Sequence, residues 1–192
     1  LMSKMDQTDA QITKLENAGI KVVVSYAQNI EGVYTDIEMI GKVTGESDNA
    51  SALIKEMKTS FAKITADSTK SDKTVYFEVS PLEYGLWTAG SNTFMDEIAT
   101  MLGLKNVFSD VNGWGEISQE QVIQRNPDYI ITITMYNGQG TKPEKEIMSR
   151  AGWSNINAVK NGNVFNADSN ELSRPGPRLV DGAKSLYSFI YK

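Results

Sequence analysis

The chain has 192 residues, 40% of them hydrophobic, a net charge of −5, and neither cysteine nor histidine. Without those two residue types it can form no thiol nucleophile, histidine base or serine–histidine–aspartate triad, and it lacks the usual ligands of transition metals. The acidic balance and the scatter of the 19 basic residues argue against nucleic acid as a partner. No apolar run approaches the roughly 20 residues of a membrane span, and Leu1–Lys14 lacks the apolar core of a signal peptide.

The first part of the chain predicts two helices around a single strand. Ser3–Asn17 and Ile30–Thr44 have the apolar spacing of helices, and Gly45 is placed to end the second one. Lys21–Ser25 contains three consecutive valines, which is typical of a strand covered on both faces. Because one strand cannot form a sheet, we expect residues 1–46 to be the end of a domain whose other strands lie outside the chain.

A long helix and an alternation of strands and helices are predicted next. The helix should begin with a cap at Ser47 or Asp48 and continue to about Ser68, with one apolar face. The elements predicted after it are strands at Thr74–Val79, around Val107, at Tyr129–Thr134 and at Asn163–Phe165, and helices at Thr93–Leu102, Ser118–Asn126, Glu144–Arg150 and from near Pro177. This alternation predicts an α/β fold with an open, mostly parallel, Rossmann-like sheet.

The candidate binding residues lie in the loops that follow the predicted strands, because ligands of such sheets bind beyond the carboxyl ends of the strands. The loops are Ser80–Gly90, Ser109–Glu116, Met135–Thr141 and Asn166–Pro175. Their aromatic and polar side chains suit a bulky, partly apolar ligand; the candidates are Tyr84, Trp87, Trp114, Tyr136, Asn170 and Arg174. The residues alone leave open the alternative that Trp87 and Trp114 fold back on the sheet edge.

Several stretches of the chain follow one another in a characteristic order and spacing. They are Gly90–Glu97 continuing through Met101–Gly103 to Asn106–Phe108, Trp114–Val122 continuing to Asn126–Ile131, and Ser173–Arg178, with Ala18–Val24 and Ile40–Gly45 nearer the N-terminus. Together they resemble the cobalamin and iron-siderophore class of ABC-transporter substrate-binding proteins. The resemblance covers essentially the whole chain.

The resemblance implies two α/β lobes bridged by one long helix. Residues 1–46 would be the last part of the N-terminal lobe, residues 47–70 the interlobe helix, and residues 71–192 the C-terminal lobe. Most of the N-terminal lobe, and with it half of the ligand cleft, would then lie outside this chain.

The resemblance also implies roles for individual residues. Trp87 and Trp114 match aromatic positions of the cleft, Arg174 matches a cleft arginine, and Asn170 matches a polar cleft position. Glu120 matches a glutamate that such proteins present to arginines of the membrane permease. Tyr84 and Tyr136 are candidates only because they lie in the predicted ligand loops.

The function implied by the resemblance is binding without chemistry. The protein would be the extracytoplasmic component of an importer, periplasmic or lipid-anchored, for an iron-siderophore, cobalamin or haem. Any metal would arrive inside its chelate, so we expect no cofactor and no metal site built by the protein.

Two other functions stay open. A sensory or regulatory binding lobe can use the same fold without a transporter. A Rossmann-like enzyme domain would need a glycine-rich turn after its first strand, and Ser80–Gly90 offers only Gly85 and Gly90.

Overall fold

The computed structural model describes residues 1–4 and 8–191 of the chain. Its helices are α1 (Thr8–Asn17), α2 (Ile30–Thr44), α3 (Ser47–Asp67), α4 (Phe94–Met101), α5 (Gln119–Arg125), α6 (Pro143–Ser149), α7 (Asn157–Lys160), α8 (Ser169–Leu172) and α9 (Leu179–Ile190). Its strands are β1 (Met2–Ser3), β2 (Val24–Ser25), β3 (Thr74–Ser80), β4 (Trp87–Ala89), β5 (Lys105–Asn106), β6 (Trp114–Glu116), β7 (Tyr129–Thr132) and β8 (Val164–Asn166). The fold is therefore a mixed α/β fold, as predicted.

The N-terminal segment contains two strands, so the prediction of one was wrong. β1 pairs in parallel with β2, and the Met2 N–H donates to the Val23 carbonyl over 2.8 Å. The first helix begins at Thr8 and not at Ser3; residues 5–7 of that prediction lie outside the described residues. A two-residue strand is too short to show an alternating pattern, so the sequence carries no periodic signal for β1.

α2 and α3 follow the prediction closely in their extent. The Asn29 side chain accepts a hydrogen bond from the Gly32 N–H at the start of α2, and Gly45 ends α2 in the left-handed conformation. The predicted cap of α3 was wrong by one residue, because Glu46 is the N-cap and makes no side-chain capping bond. Ser47 already lies inside the helix.

The main sheet has six strands in the order β6–β4–β3–β7–β8, with β5 paired to β3. β3, β5, β7 and β8 run parallel, which agrees with the prediction of a mostly parallel sheet. β4 and β6 are antiparallel additions within segments that were predicted to be loops. Each has only three residues, too few to be read from periodicity.

The core lies on both faces of the main sheet. Val75 and Phe77 of β3 belong to one apolar cluster, with side chains of α3, α4 and α9, and Tyr76 between them belongs to the other. Trp153 is fully buried in the second cluster. Among the described residues, no helix is both long enough and apolar enough to cross a membrane.

Candidate ligand-binding site

A groove of about 820 Å³ lies at the carboxyl ends of β7 and β8. We call it the β7–β8 groove. It is lined by Thr134, Met135, Tyr136, Asn137, Gln139, Thr141, Pro143, Asn166, Ala167, Asp168, Ser169 and Asn170. The groove lies where the parallel sheet predicts a ligand, and most of its lining side chains carry hydroxyl or amide groups.

The side of the groove next to β8 is built by a strand that passes directly into a helix. The Ala167 N–H donates to the Thr132 carbonyl over 2.8 Å, which extends the ladder between β7 and β8 by one residue. Asp168 then caps α8, because its Oδ1 accepts from the Asn170 N–H over 2.7 Å. These bonds fix the positions of Asp168 and Asn170 at the groove.

A second cavity, of about 420 Å³, adjoins the first at the end of β3. We call it the β3 cavity. It is lined by Glu78, Pro81, Leu82, Glu83, Thr134, Thr141, Pro143 and Glu146. Thr134, Thr141 and Pro143 line both cavities, so the two are continuous in space.

A buried ion cluster forms the base of the β3 cavity. The Arg150 guanidinium donates to both carboxylate oxygens of Glu78, over 2.6 and 2.9 Å, and also to both oxygens of Glu146. It stacks on the Trp153 ring at 4.5 Å. Burial raises the pKa of Glu78, and the hydrogen bonds and charge of Arg150 act against that rise. The cluster joins β3 to α6, whose Pro143 lines both cavities.

Two of the predicted binding residues, Tyr136 and Asn170, line the β7–β8 groove together. Tyr136 is 38% exposed, and its hydroxyl donates to the Gly140 carbonyl over 3.4 Å. Asn170 is half-buried in α8. The structure therefore brings these two residues to one surface from loops that are separated by β8.

Trp87 and Tyr84 lie at the same edge of the sheet but outside the groove lining. Trp87 pairs with Ser80 at the carboxyl end of β3 and is 40% exposed. Tyr84 ends the short helical turn Leu82–Tyr84 and is 76% exposed. Both side chains are exposed at the carboxyl edge of the sheet, in a segment that was predicted to contain binding residues.

Trp114 and Arg174 have different surroundings. Trp114 of β6 pairs with Ala89 of β4. This pair lies two residues farther from the carboxyl edge of the sheet than the pair of Glu116 with Trp87. The centroid of the Trp114 ring lies 5.5 Å from that of Phe94. It is half-buried against the core. Arg174 is exposed between α8 and α9 and does not line either cavity.

Glu120 lies exposed in the first turn of α5, on a well-capped helix start. The Ser118 hydroxyl accepts from the Gln121 N–H, and the Gln121 side chain accepts from the Ser118 N–H. A hydrogen bond from its own backbone N–H, followed by one from Ser118, lowers the pKa of Glu120. Its carboxylate therefore stays charged on the surface at neutral pH.

Sequence analysis did not single out Asp168 or the Arg150 cluster. Asp168 falls in a predicted ligand loop, but a carboxylate before a helix has the ordinary pattern of a cap, which it also is. Glu78 and Arg150 are 72 residues apart, and no local pattern signals their pairing. Within residues 1–4 and 8–191, no group of three or more acidic side chains is arranged to hold a metal ion.

These features, a parallel α/β sheet with a polar groove at its carboxyl edge, accompany a match to a known family. The sequence model of the periplasmic binding protein family matches residues 1–171. The chain belongs to this family.

Individual relatives and a solved structure agree with the assignment. An uncharacterized ABC transporter substrate-binding lipoprotein of Bacillus subtilis, YvrC, is 37% identical over 98% of this chain and 60% of its own length. A cobalamin-binding protein of Halobacterium salinarum is 28% identical over 88% of this chain and 47% of its own length. The crystal structure of a possible iron-binding, periplasmic solute-binding protein from Staphylococcus epidermidis has a TM-score of 0.83 and 35% identity, covering all of this chain and 75% of that one. The chain thus spans about half to 60% of the length of these two curated relatives.

Proposed function

We propose that this chain is part of the substrate-binding component of an ABC importer, and that it binds an iron-siderophore, cobalamin or a similar metal chelate for delivery to a membrane permease. The β7–β8 groove is the observation that carries the proposal. Its volume of about 820 Å³ suits a ligand of chelate size, and its polar lining suits a ligand rich in hydrogen-bonding groups. The relatives named as a cobalamin-binding protein and a possible iron-binding protein favour the same ligand classes.

The lobe organisation belongs to the same proposal. α3 has 21 residues and is therefore about 31 Å long, enough to bridge two lobes. Residues 1–46 carry their own small sheet, β1 and β2, separate from the main sheet. We assign them to an N-terminal lobe, residues 47–70 to the bridge, and residues 71–192 to the C-terminal lobe. The greater length of the relatives supports a more complete N-terminal lobe.

The ligand would occupy the β7–β8 groove and extend along the edge of the sheet. Tyr136 and Asn170 would contact it in the groove, while Trp87 and Tyr84 would cover it farther along the edge. Arg174 would reach it from the exposed segment after α8, and the exposed part of the Trp114 ring would contact it beside Trp87. The closing N-terminal lobe would bury the opposite side of the ligand.

Glu120 would form part of the surface that docks to the permease. It is exposed, charged and outside both cavities, so it is free to pair with an arginine of a membrane partner. Charges of this kind set registry and association rate more than affinity. The protein would act outside the cytoplasmic membrane, periplasmic or lipid-anchored, and would perform no chemistry on its cargo.

Reversing the charge at Glu120 should distinguish binding of the chelate from its delivery to the permease. In cells whose uptake of a radiolabelled chelate depends on this protein, Glu120→Arg should leave chelate affinity unchanged and lower the rate of uptake by at least about tenfold, because a like charge now faces the permease. Glu56→Arg, at an exposed acidic position on α3 outside both cavities, is the control and should retain uptake. Normal uptake with Glu120→Arg would remove this residue from the docking surface, and uptake that does not depend on the protein at all would overturn the proposed function.

A further inference from the structure

The charges around the two adjoining cavities have a consistent sign. The β7–β8 groove contains one charged lining residue, Asp168. The β3 cavity contains three carboxylates, those of Glu78, Glu83 and Glu146. No lysine or arginine lines either cavity among the residues that the structure describes.

The basic residue that pairs with carboxylates of the β3 cavity is Arg150, and its guanidinium already donates hydrogen bonds to them. All three nitrogens of the Arg150 guanidinium donate to Glu78 or Glu146, over 2.6 to 2.9 Å, and its side chain is 3% exposed. It balances part of their charge, and four of its five N–H groups are used in these bonds. Glu83 and Asp168 remain without a compensating cation in the lining.

The basic residues nearest in sequence lie outside the lining. Lys142, Lys145 and Arg174 are exposed, and none of them lines the groove or the β3 cavity. Asp168 and Glu83 are exposed, so their repulsion of an anionic ligand is partly screened by solvent and becomes weaker as salt is raised. A polyanionic ligand would have to enter against this field.

The groove also favours ligands that donate hydrogen bonds. Carboxylates only accept hydrogen bonds, and the Asp168 carboxylate receives just one bond from the described chain, to Oδ1 from the Asn170 N–H. The Asn166 Oδ1 at the groove is buried and receives no hydrogen bond from the described chain, so it can also accept one from a ligand. Amide N–H, hydroxyl or ammonium groups of a ligand would complement these acceptors.

We infer that the part of the cargo held by this lobe is neutral or cationic and rich in N–H and O–H donors, and that the site discriminates against polyanionic chelates such as ferric tris-catecholates. The inference rests on the proposed function and narrows its ligand class. Asp168 and Glu83 are the residues that set the preference.

The test compares chelates of different charge on the intact protein. Dissociation constants are measured by isothermal titration for ferrioxamine B, which is cationic, ferrichrome, which is neutral, and ferric enterobactin, which is polyanionic. The cationic chelate should bind at least about tenfold more tightly than the polyanionic one, corresponding to a charge effect of about 1.4 kcal/mol. Its affinity should fall as salt is raised, because salt screens the attraction.

Asp168→Asn tests the residue assignment without removing the cap of α8, since asparagine caps helices as well as aspartate does. The variant should bind ferrioxamine B about three- to tenfold more weakly and ferrichrome with unchanged affinity. Asp72→Asn, an exposed aspartate paired with Lys105 away from both cavities, is the matched control and should change neither.

The outcomes separate this inference from the proposed function. Tighter or equal binding of the polyanionic chelate, or an unchanged affinity for ferrioxamine B on Asp168→Asn, would overturn the charge preference and leave chelate binding intact. Failure of the folded protein to bind any of the three chelates, or cyanocobalamin, would overturn both.

Discussion

Asp128 joins the beginnings of the two central strands of the main sheet. Its Oδ2 accepts from the Thr74 N–H over 3.0 Å and from the Thr74 hydroxyl over 3.1 Å, and its Oδ1 accepts from Lys73 over 3.1 Å. Burial acts to raise the pKa of Asp128, but these hydrogen bonds outweigh it and hold the pKa below its ordinary value. The charged form is therefore bound more favourably in the folded state than in the unfolded state.

Asp128→Asn should lower the free energy of unfolding by about 2 kcal/mol at pH 7, the usual size of hydrogen bonds to a charged group. Because the folded pKa lies below the unfolded value of about 3.9, the contribution is present above that pH and is lost as the pH falls through the folded pKa. Urea unfolding at pH 7, 4 and 2.5 should show the gap between variant and parent closing with acid. A gap that stays constant with pH would show that the charge of Asp128 is not its source.

The two edge tryptophans differ in what they support. Trp114→Ala should lower the free energy of unfolding by about 2 kcal/mol, less than for a fully buried ring, because half of its surface packs on Phe94 and the core. Trp87→Ala should cost about 1 kcal/mol or less and should weaken chelate binding, because its ring is 40% exposed at the ligand edge. Thermal unfolding gives the stability of each variant, and titration gives its affinity for the chelate. A larger loss of stability for Trp87→Ala than for Trp114→Ala would contradict the placement of the two rings.

At the scale of elements, the Arg150 cluster fixes α6 against β3. Arg150→Met should lower the free energy of unfolding by about 3–5 kcal/mol, because it leaves the Glu78 carboxylate buried without a partner. Lys105→Met is the control; its ion pair with Asp72 is exposed on both sides and should contribute much less. Chemical denaturation gives the free energy of unfolding of each variant. Equal losses in the two would show that burial does not determine how much the Arg150 ion pair stabilises the fold.

The same variants allow a check on what holds the groove. The double variant Arg150→Met/Glu78→Leu has an apolar contact in place of the buried ion pair. It should recover most of the stability that Arg150→Met loses. If α6 needs the ion cluster to hold Pro143 in place, the double variant should remain folded but bind the chelate less tightly than the parent protein. Full affinity in the folded double variant would limit the cluster to a role in stability.

The elements that could be predicted from sequence are the long ones with caps. α2 was predicted with its observed bounds, because its apolar face and Gly45 are both visible in the sequence. β8 and β5 are equally short but were predicted from the alternation of strands and helices, whereas β4, β6 and β1 fall outside that alternation and are too short to show a period. The strand order could not be read from the sequence either, since pairing joins segments that are distant along the chain.

The site was predictable to the extent that it follows from topology. Tyr136 and Asn170 were placed at one edge because the carboxyl ends of parallel strands lie together, and both line the groove there; their contact with a ligand stays a prediction. The acidic character of the site was not found, because it depends on Glu78, Glu146 and Asp168 converging from three separate elements. A sequence shows each charge but not its neighbours in space.

At the scale of the whole molecule, the described chain has a groove at the carboxyl edge of one well-packed sheet, and a second, smaller sheet formed by β1 and β2. The link between them is specific: the Ile30 N–H donates to Glu97 over 2.7 Å, and the Phe94 N–H donates to the Gln28 carbonyl over 3.0 Å. These bonds hold the start of α2 against α4. Ile30, Val33 and Tyr34 of α2 also pack in the apolar cluster of β3 and α4, so the segment that carries the small sheet is attached to the main sheet at a defined place.

The most direct test of the central claim is a tryptophan-fluorescence titration of the intact protein with cyanocobalamin, the ferric siderophores and haem. The exposed ring of Trp87 at the ligand edge makes it a natural reporter. We predict saturable quenching with one-to-one stoichiometry by one of these chelates at sub-micromolar concentration, about the affinity range of a specific binding protein. A folded protein whose fluorescence and binding heat respond to none of them would contradict the assignment of this chain to chelate import.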